Sequence, residues 1–338
     1  MGMPNSFIQG LLKPADRTML QGIHWIAHGV LRTGGYRWEV RRNGEVKIGY
    51  WKKTLRARDH KAPYPKRFVL MPGFGDTPLS WLGVMTLLHS TLKSNYDELI
   101  LFDFPGFGGF LSRERAFPSV DLMMTAVADT LDSLKPHTIF GHSLGGWLAA
   151  SYAALCGSGQ RPVSNRLNYS GPNSLIVANP SGIYPDQKTM DEFETLIRSS
   201  VAQGFELLRP HLFAKEPSWF ICAVPHMRKF LGREDIMQFV DSGRTEHALT
   251  ALAQNIQART WVLWGEKDTL VPSTCADAWL ASLNAKGLRK DHTAIIIKKA
   301  GHSPHIETPV STAIIMSQIL KDKTPYDLGK RWWTVTGK

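Results

Sequence analysis

Thr138-Ile139-Phe140-Gly141-His142-Ser143-Leu144-Gly145-Gly146-Trp147-Leu148-Ala149-Ala150 runs from a short apolar stretch into a small-residue helix, with a serine at the junction. The apolar lead reads as a buried strand. Gly146, Ala149, Ala150, Ala153 and Ala154 leave a helix face slim enough to pack closely on a sheet. Gly141 and Gly145 flank the serine at minus two and plus two, where larger side chains collide in a tight turn. A strand, a sharp turn and a helix in that order lift Ser143 to the tip, where its hydroxyl can act as a nucleophile. The helix N-terminus directs positive potential at an oxyanion forming there. His142 does not serve as base, because a residue just before the nucleophile of a sharp turn points its side chain elsewhere. Its expected role is to shape the turn.

The partners must come from distant segments. Trp261-Val262-Leu263-Trp264-Gly265-Glu266-Lys267-Asp268-Thr269-Leu270-Val271-Pro272 is a strand that ends in an acidic loop. A carboxylate at a strand's carboxyl end can orient an imidazole and stabilise its protonated form. Asp268 lies further into the loop than Glu266 and is preferred, with Glu266 a solvated neighbour. Ile295-Ile296-Ile297 then leads to Lys298-Lys299-Ala300-Gly301-His302-Ser303-Pro304-His305. His302 directly follows a glycine and is the candidate base, whereas His305 falls near a helix start and reads as structural. A further loop, Met71-Pro72-Gly73-Phe74-Gly75-Asp76, follows the strand Phe68–Met71. An oxyanion hole needs two amide donors, and Phe74 and Leu144 are placed to supply them. Asp103 in "DFPGFG" reads as bracing a turn, with Phe104 and Phe107 lining the pocket.

Six apolar runs qualify as strands: Phe68–Met71, Glu98–Phe102, Thr138–Phe140, Ser174–Ala178, Thr260–Trp264 and Thr293–Ile297. Helical segments between them predict an α/β core with a mainly parallel sheet and helices on both faces. The expected organisation has three parts. Residues 1–65 hold an amphipathic helix at 17–32 and a β-hairpin, Tyr36–Val40 and Val46–Trp51 around Arg42-Asn43-Gly44. The core spans 66–181 and 256–338, including a C-terminal tail. Residues 182–255 have helical patterning and no convincing strand, and form an inserted helical cap. Of its aromatic and aliphatic side chains, Phe205 and Phe213 are the expected substrate contacts.

Composition narrows the function classes. No run of eighteen apolar residues predicts a transmembrane helix, and no secretory signal is evident. Three scattered cysteines, Cys156, Cys222 and Cys275, suit core or partly buried thiols in a reducing cytoplasm, not a disulfide framework or a zinc site. Forty basic against 29 acidic residues give a net charge of +11, which favours an anionic partner such as a lipid surface. No recognition motif accompanies the charge, so nucleic acid is not expected. The 17–32 helix fits packing on its own domain or peripheral contact with a membrane surface.

The segments "PGFGD", "DFPGFG", "GHSLGG", "WGEKD" and "AGHSPHIETP" stand in the order found in α/β-hydrolases, and from about residue 66 to 320 the chain resembles that superfamily. "NPSGIYPD" and "WGEKDTLVP" look like its esterases and monoacylglycerol lipases, which are related to bacterial lipases. The resemblance implies ester hydrolysis through an acyl-enzyme with no metal or organic cofactor. It maps nucleophile, acid and base onto Ser143, Asp268 and His302, and the oxyanion donors onto Phe74 and Leu144. Pro72 stands where the family's early loop usually carries histidine, although an amide donor does not need that side chain. The expected substrate is a small-molecule or lipid ester of medium or long acyl chain, such as a monoacylglycerol. Relatives with the same three residues also cleave carbon–carbon bonds in ring-fission products, act as thioesterases or acyltransferases, or survive as non-catalytic ligand binders. Haloalkane dehalogenase and epoxide hydrolase chemistry is disfavoured, since those relatives carry aspartate where Ser143 stands.

Overall fold

The computed structural model describes residues 29–43, 46–58, 61–107, 115–160, 169–243, 249–289, 291–323 and 333–336. Nine strands form one sheet: β1 (Arg37–Asn43), β2 (Val46–Thr54), β3 (Arg67–Met71), β4 (Glu98–Asp103), β5 (Thr138–His142), β6 (Ser174–Ala178), β7 (Arg259–Gly265), β8 (Thr293–Ile297) and β9 (Trp333–Thr336). Their spatial order is β1-β2-β4-β3-β5-β6-β7-β8-β9. The six strands from β4 to β8 pair in parallel, and antiparallel neighbours close each side.

The helices among the described residues are α1 (Leu82–Leu87), α2 (His89–Asn95), α3 (Val120–Leu134), α4 (Leu144–Gly157), α5 (Gln187–Gln203), α6 (Val224–Leu231), α7 (Glu234–Asp241), α8 (Thr250–Ala253), α9 (Cys275–Asn284), α10 (Pro304–Glu307) and α11 (Pro309–Ile319). A parallel sheet is covered on both faces, so its strands are apolar at consecutive positions instead of alternating. In β3, Val69 and Met71 face one core layer with α3 and α4, while Phe68 and Leu70 face the other with α1, α2 and α11. The same split divides β7, where Val262 and Trp264 oppose Trp261 and Leu263.

β3 lies between β4 and β5, so the chain leaves it towards opposite sides of the sheet. In an open α/β sheet such a switch point opens a crevice at the carboxyl ends of the strands. The loops after β3, β5, β6, β7 and β8 all emerge at that edge, and between β6 and β7 the chain adds α5 to α8 beside it. No strand lies in that insertion among the described residues.

The predicted hairpin is present as β1 and β2, registered from Arg37↔Lys52 to Asn43↔Val46, though Gly44 of its turn lies outside the described residues. Most of the 17–32 stretch also lies outside them. Its end, residues 29–33, is helical, and Leu31 is buried in the same core layer as Trp51. No helix of the described residues is long and apolar enough to cross a membrane. Two sequence expectations need correction. The tail had no assigned structure, yet Trp333–Thr336 pairs antiparallel with β8 and buries Trp333 completely. Cys222 is exposed instead of buried, although Cys275 is buried and Cys156 partly so.

Candidate active site

Ser143 joins the last residue of β5 to the first of α4, and its backbone has φ 51° and ψ −118°. A non-glycine residue in that region carries backbone strain, which persists only where the surroundings enforce it. Here they do. The Ser143 amide donates to the Ala178 carbonyl at 2.9 Å, and the Ser143 carbonyl accepts from the Trp147 amide at 3.0 Å. A Cβ on Gly141 would lie 2.3 Å from the Gly145 carbonyl oxygen, and one on Gly145 would lie 2.4 Å from that of Met71. No side chain fits at either place, so the turn can be this tight only with glycine at both.

Asp268 follows β7 and His302 follows β8, and the parallel register brings the two strand ends side by side. His302 Nδ1 lies 2.8 Å from Asp268 Oδ2, with both side chains buried. Asp268 Oδ1 accepts from the Leu270 and Val271 amides at 2.9 and 3.0 Å. Its Oδ2 also accepts from Asn179 Nδ2 at 2.6 Å. Four donors therefore surround one buried carboxylate, which suits its ionised form and fixes the face it turns to the imidazole. Glu266 instead bonds Lys298 Nζ at 2.7 Å near the surface, and that ion pair holds its carboxyl below the usual range.

Two supporting residues escaped the sequence reading. Asn179, directly after β6, is fully buried with φ 47°, a left-handed conformation that asparagine tolerates better than most residues. The visible signal was an asparagine at a strand end ahead of proline in "VANPSG". Glu307 accepts from the Gly301 and Ala214 amides, each at 2.7 Å, and so ties the histidine loop to the insertion.

A cavity of about 270 Å³ opens over Ser143 and His302. Phe74 and Leu144 line it, and their amides donate to no acceptor among the described residues. The other walls are mainly apolar: Val120 and Trp147 from the core; Met190, Phe193, Ile197, Leu212, Phe213 and Met227 from the insertion. Glu194 and Arg198 add charge. Phe213 is thus a wall residue as expected, but Phe104, Phe107 and Phe205 are not. All three are completely buried. Phe107 stacks edge-on behind Phe74, with ring centres 5.2 Å apart, and Phe104 packs behind Phe107. Large aromatics at strand ends and between helices are drawn into the core before they can line a cavity.

The same cavity wall carries a second polar group. His142 Nε2 lies 2.8 Å from the His302 carbonyl oxygen, so His142 contacts the backbone of His302 instead of the Ser143 side chain. Asp76 Oδ2 lies 4.0 Å from His142 Nδ1 and 3.7 Å from His305 Nε2. One ring nitrogen of each histidine and one Asp76 oxygen all fall within 4.8 Å of one another, the donor types that can hold a metal ion. His305 stacks flat on Trp81, with ring centres 3.9 Å apart. Burial pushes the Asp76 carboxyl up to about 6. Burial, reinforced by neighbouring His302, pushes His142 down to about 3. Burial and the two nearby histidines push His305 well below the usual imidazole range.

A sequence model of the alpha/beta hydrolase family matches residues 68–313. Monoacylglycerol lipase abhd6-B of Xenopus laevis is 24% identical over 348 residues, covering 95% of each chain. A crystal structure of a bacterial membrane phospholipase A superposes with a TM-score of 0.62 at 20% identity, covering 94% of each chain. A serine hydrolase involved in carbazole degradation superposes with a TM-score of 0.58 at 19% identity, over 85% of this chain and 100% of that one. At such identities the two superpositions speak for the fold alone.

Proposed function

The chain belongs to the alpha/beta hydrolase family, and within it we propose a serine hydrolase that cleaves carboxylic esters through an acyl-enzyme. The observation that carries this reading is the strained Ser143 at an apolar cavity whose wall includes His302, itself bonded to buried Asp268. In the proposed cycle His302 Nε2 takes the Ser143 hydroxyl proton as the oxygen attacks the ester carbonyl. The Nδ1–H donates to Asp268 throughout, which keeps Nε2 free to accept a proton and balances the imidazolium that forms. The Phe74 and Leu144 amides receive the oxyanion; one such donor is typically worth about 3–4 kcal/mol of barrier. His302 then passes its proton to the leaving alcohol. Water, deprotonated by the same nitrogen, releases the acid and restores Ser143.

The apolar walls support an acyl chain of medium or long length as substrate, with residues 182–255 acting as a cap over it. The name of the Xenopus relative, a monoacylglycerol lipase aligned over nearly the whole chain, supports the same substrate class. A basic surface of net charge +11 is consistent with work at an anionic lipid surface. The test is hydrolysis of p-nitrophenyl esters from acetate to palmitate by the wild type and Ser143→Ala. Turnover that rises beyond acetate in the wild type and vanishes in Ser143→Ala is expected. Full turnover in Ser143→Ala would refute the nucleophile, and turnover of acetate alone would refute the substrate class.

A further inference from the structure

The second polar group cannot close by direct contact. Separations of 3.7 and 4.0 Å exceed hydrogen-bond length, and Asp76 Oδ2, His142 Nδ1 and both His305 nitrogens have no partner among the described residues. His142 and His305 are 4% and 2% exposed, so bulk water does not satisfy them. Leaving several such atoms unpaired in the interior costs about 1–3 kcal/mol each.

Proton positions follow from the contacts. The His302 carbonyl can only accept, so His142 Nε2 carries the hydrogen and, in a neutral ring, Nδ1 is a bare lone pair. That lone pair faces Asp76 Oδ2, another acceptor. Asp76 Oδ1 already accepts from the Thr77 amide at 2.7 Å, leaving Oδ2 in need of a donor. His305 Nε2 can supply one hydrogen. The gap therefore calls for a group that donates twice and accepts once, which describes a water molecule.

Distances agree. Hydrogen bonds of about 2.8 Å opening at about 85–120° place their far atoms about 3.8–4.8 Å apart. A first-row metal at about 2.1 Å cannot hold three ligands that are all more than about 3.6 Å apart. The present spacings, 3.7 Å and 4.0 Å within a 4.8 Å limit, match water and are too wide for such an ion.

We propose that Asp76, His142 and His305 form a buried polar latch, closed by one water molecule, that holds His302 by its main-chain carbonyl. The latch joins three loops. Asp76 closes the turn that presents Phe74, its amide donating to the Gly73 carbonyl at 3.2 Å. His142 belongs to the serine turn, and His305 to the segment after His302. Its members are positioning residues: the latch fixes where the imidazole sits relative to Ser143 and touches no reacting atom. This rests on the reading of His302 as the base.

The test compares His142→Gln and His142→Leu with the wild type on the best p-nitrophenyl ester, and adds a crystal structure at better than about 2 Å. Glutamine can return an N–H towards the His302 carbonyl, whereas leucine fills similar space without one. The latch predicts that His142→Leu lowers kcat on the order of 10–100-fold with KM within about twofold, as for a displaced catalytic group. His142→Gln recovers most of the loss. The crystal structure of the wild type should hold one water about 2.6–3.1 Å from the three atoms. Equal kcat for folded His142→Leu and wild type overturns the latch, as does equal loss in both variants. So does a bound metal, seen as one equivalent by elemental analysis of the purified protein. Because Ser143→Ala is assayed alongside, the two readings fail separately. Turnover by Ser143→Ala refutes the serine mechanism, and its absence beside an unaffected His142→Leu refutes only the latch.

Discussion

Asn179→Asp replaces an amide with a carboxylate of nearly the same shape, so packing is preserved and only charge changes. In the wild type Asn179 Nδ2 donates to Asp268 Oδ2 at 2.6 Å. The amide orientation is set by the same contact, since its oxygen would face a carboxylate if flipped. In the variant two carboxylate oxygens meet across that gap inside the core, where the Asp268 side chain has no exposed surface. At an effective dielectric constant of 20, two unit charges about 3 Å apart repel by about 5–6 kcal/mol. A proton taken up by the pair relieves this, so one of its two pKa values rises well above the ordinary aspartate range. A group raised in the folded state contributes its stability at low pH and loses it as pH rises through the folded value. Urea unfolding should therefore find Asn179→Asp about 4–6 kcal/mol less stable than wild type at pH 7.5 and much closer to it at pH 5. Asn179→Gly keeps the left-handed backbone and removes only the donor, costing about 1–3 kcal/mol with no such pH dependence. In the proposed mechanism the shared proton also weakens the charge facing His302, and kcat of Asn179→Asp should fall at least about tenfold at pH 7.5. Stability of Asn179→Asp within about 1 kcal/mol of wild type at pH 7.5 would refute the reasoning.

Other consequences follow from burial and packing. His142, held at about 3, must charge when the chain unfolds in acid; its contribution is full above about 6.5 and is lost as pH falls towards 3. Asp76, raised to about 6, acts in the opposite sense, its contribution being lost as pH rises through 6. His142 has the larger displacement and His305 shares its sign, so stability measured by urea unfolding should drop between pH 7 and pH 5, and less steeply in His142→Gln. Ile197 lines the cavity from α5, so Ile197→Trp should lower turnover of long-chain p-nitrophenyl esters and spare acetate. Equal losses across the series would contradict that placement. Trp333→Ala removes a completely buried indole from the β9 edge and should cost about 3–5 kcal/mol in urea unfolding without changing KM.

Much of the core was legible because parallel strands buried on both faces must be continuous apolar runs, and Ser174–Ala178 and Thr293–Ile297 coincide with β6 and β8. The serine turn was legible for a related reason, since glycine at 141 and 145 is a steric requirement visible residue by residue. The choice of Asp268 over Glu266 rested on its depth in the loop, and the bond to His302 belongs to Asp268. What stayed hidden depends on contacts across long sequence separations. β9 is four residues whose pairing with β8 no local pattern announces. Asn179 meets Asp268 only because β6 and β7 lie in register. Phe104, Phe107 and Phe205 have the composition of pocket residues, and only tertiary packing turns them inward. The partners of His142 lie on the loops after β3 and β8, so adjacency to the serine gave no hint of them.

The central claim is that Ser143 is the nucleophile, and covalent labelling tests it most directly. Wild type, Ser143→Ala and His302→Ala are incubated with a fluorophosphonate, digested and mapped by mass spectrometry. The account predicts one phosphonyl adduct, on the peptide containing Ser143, absent from Ser143→Ala and formed far more slowly in His302→Ala. An adduct on another residue that persists in Ser143→Ala, or no adduct in a wild type that hydrolyses esters, would contradict it.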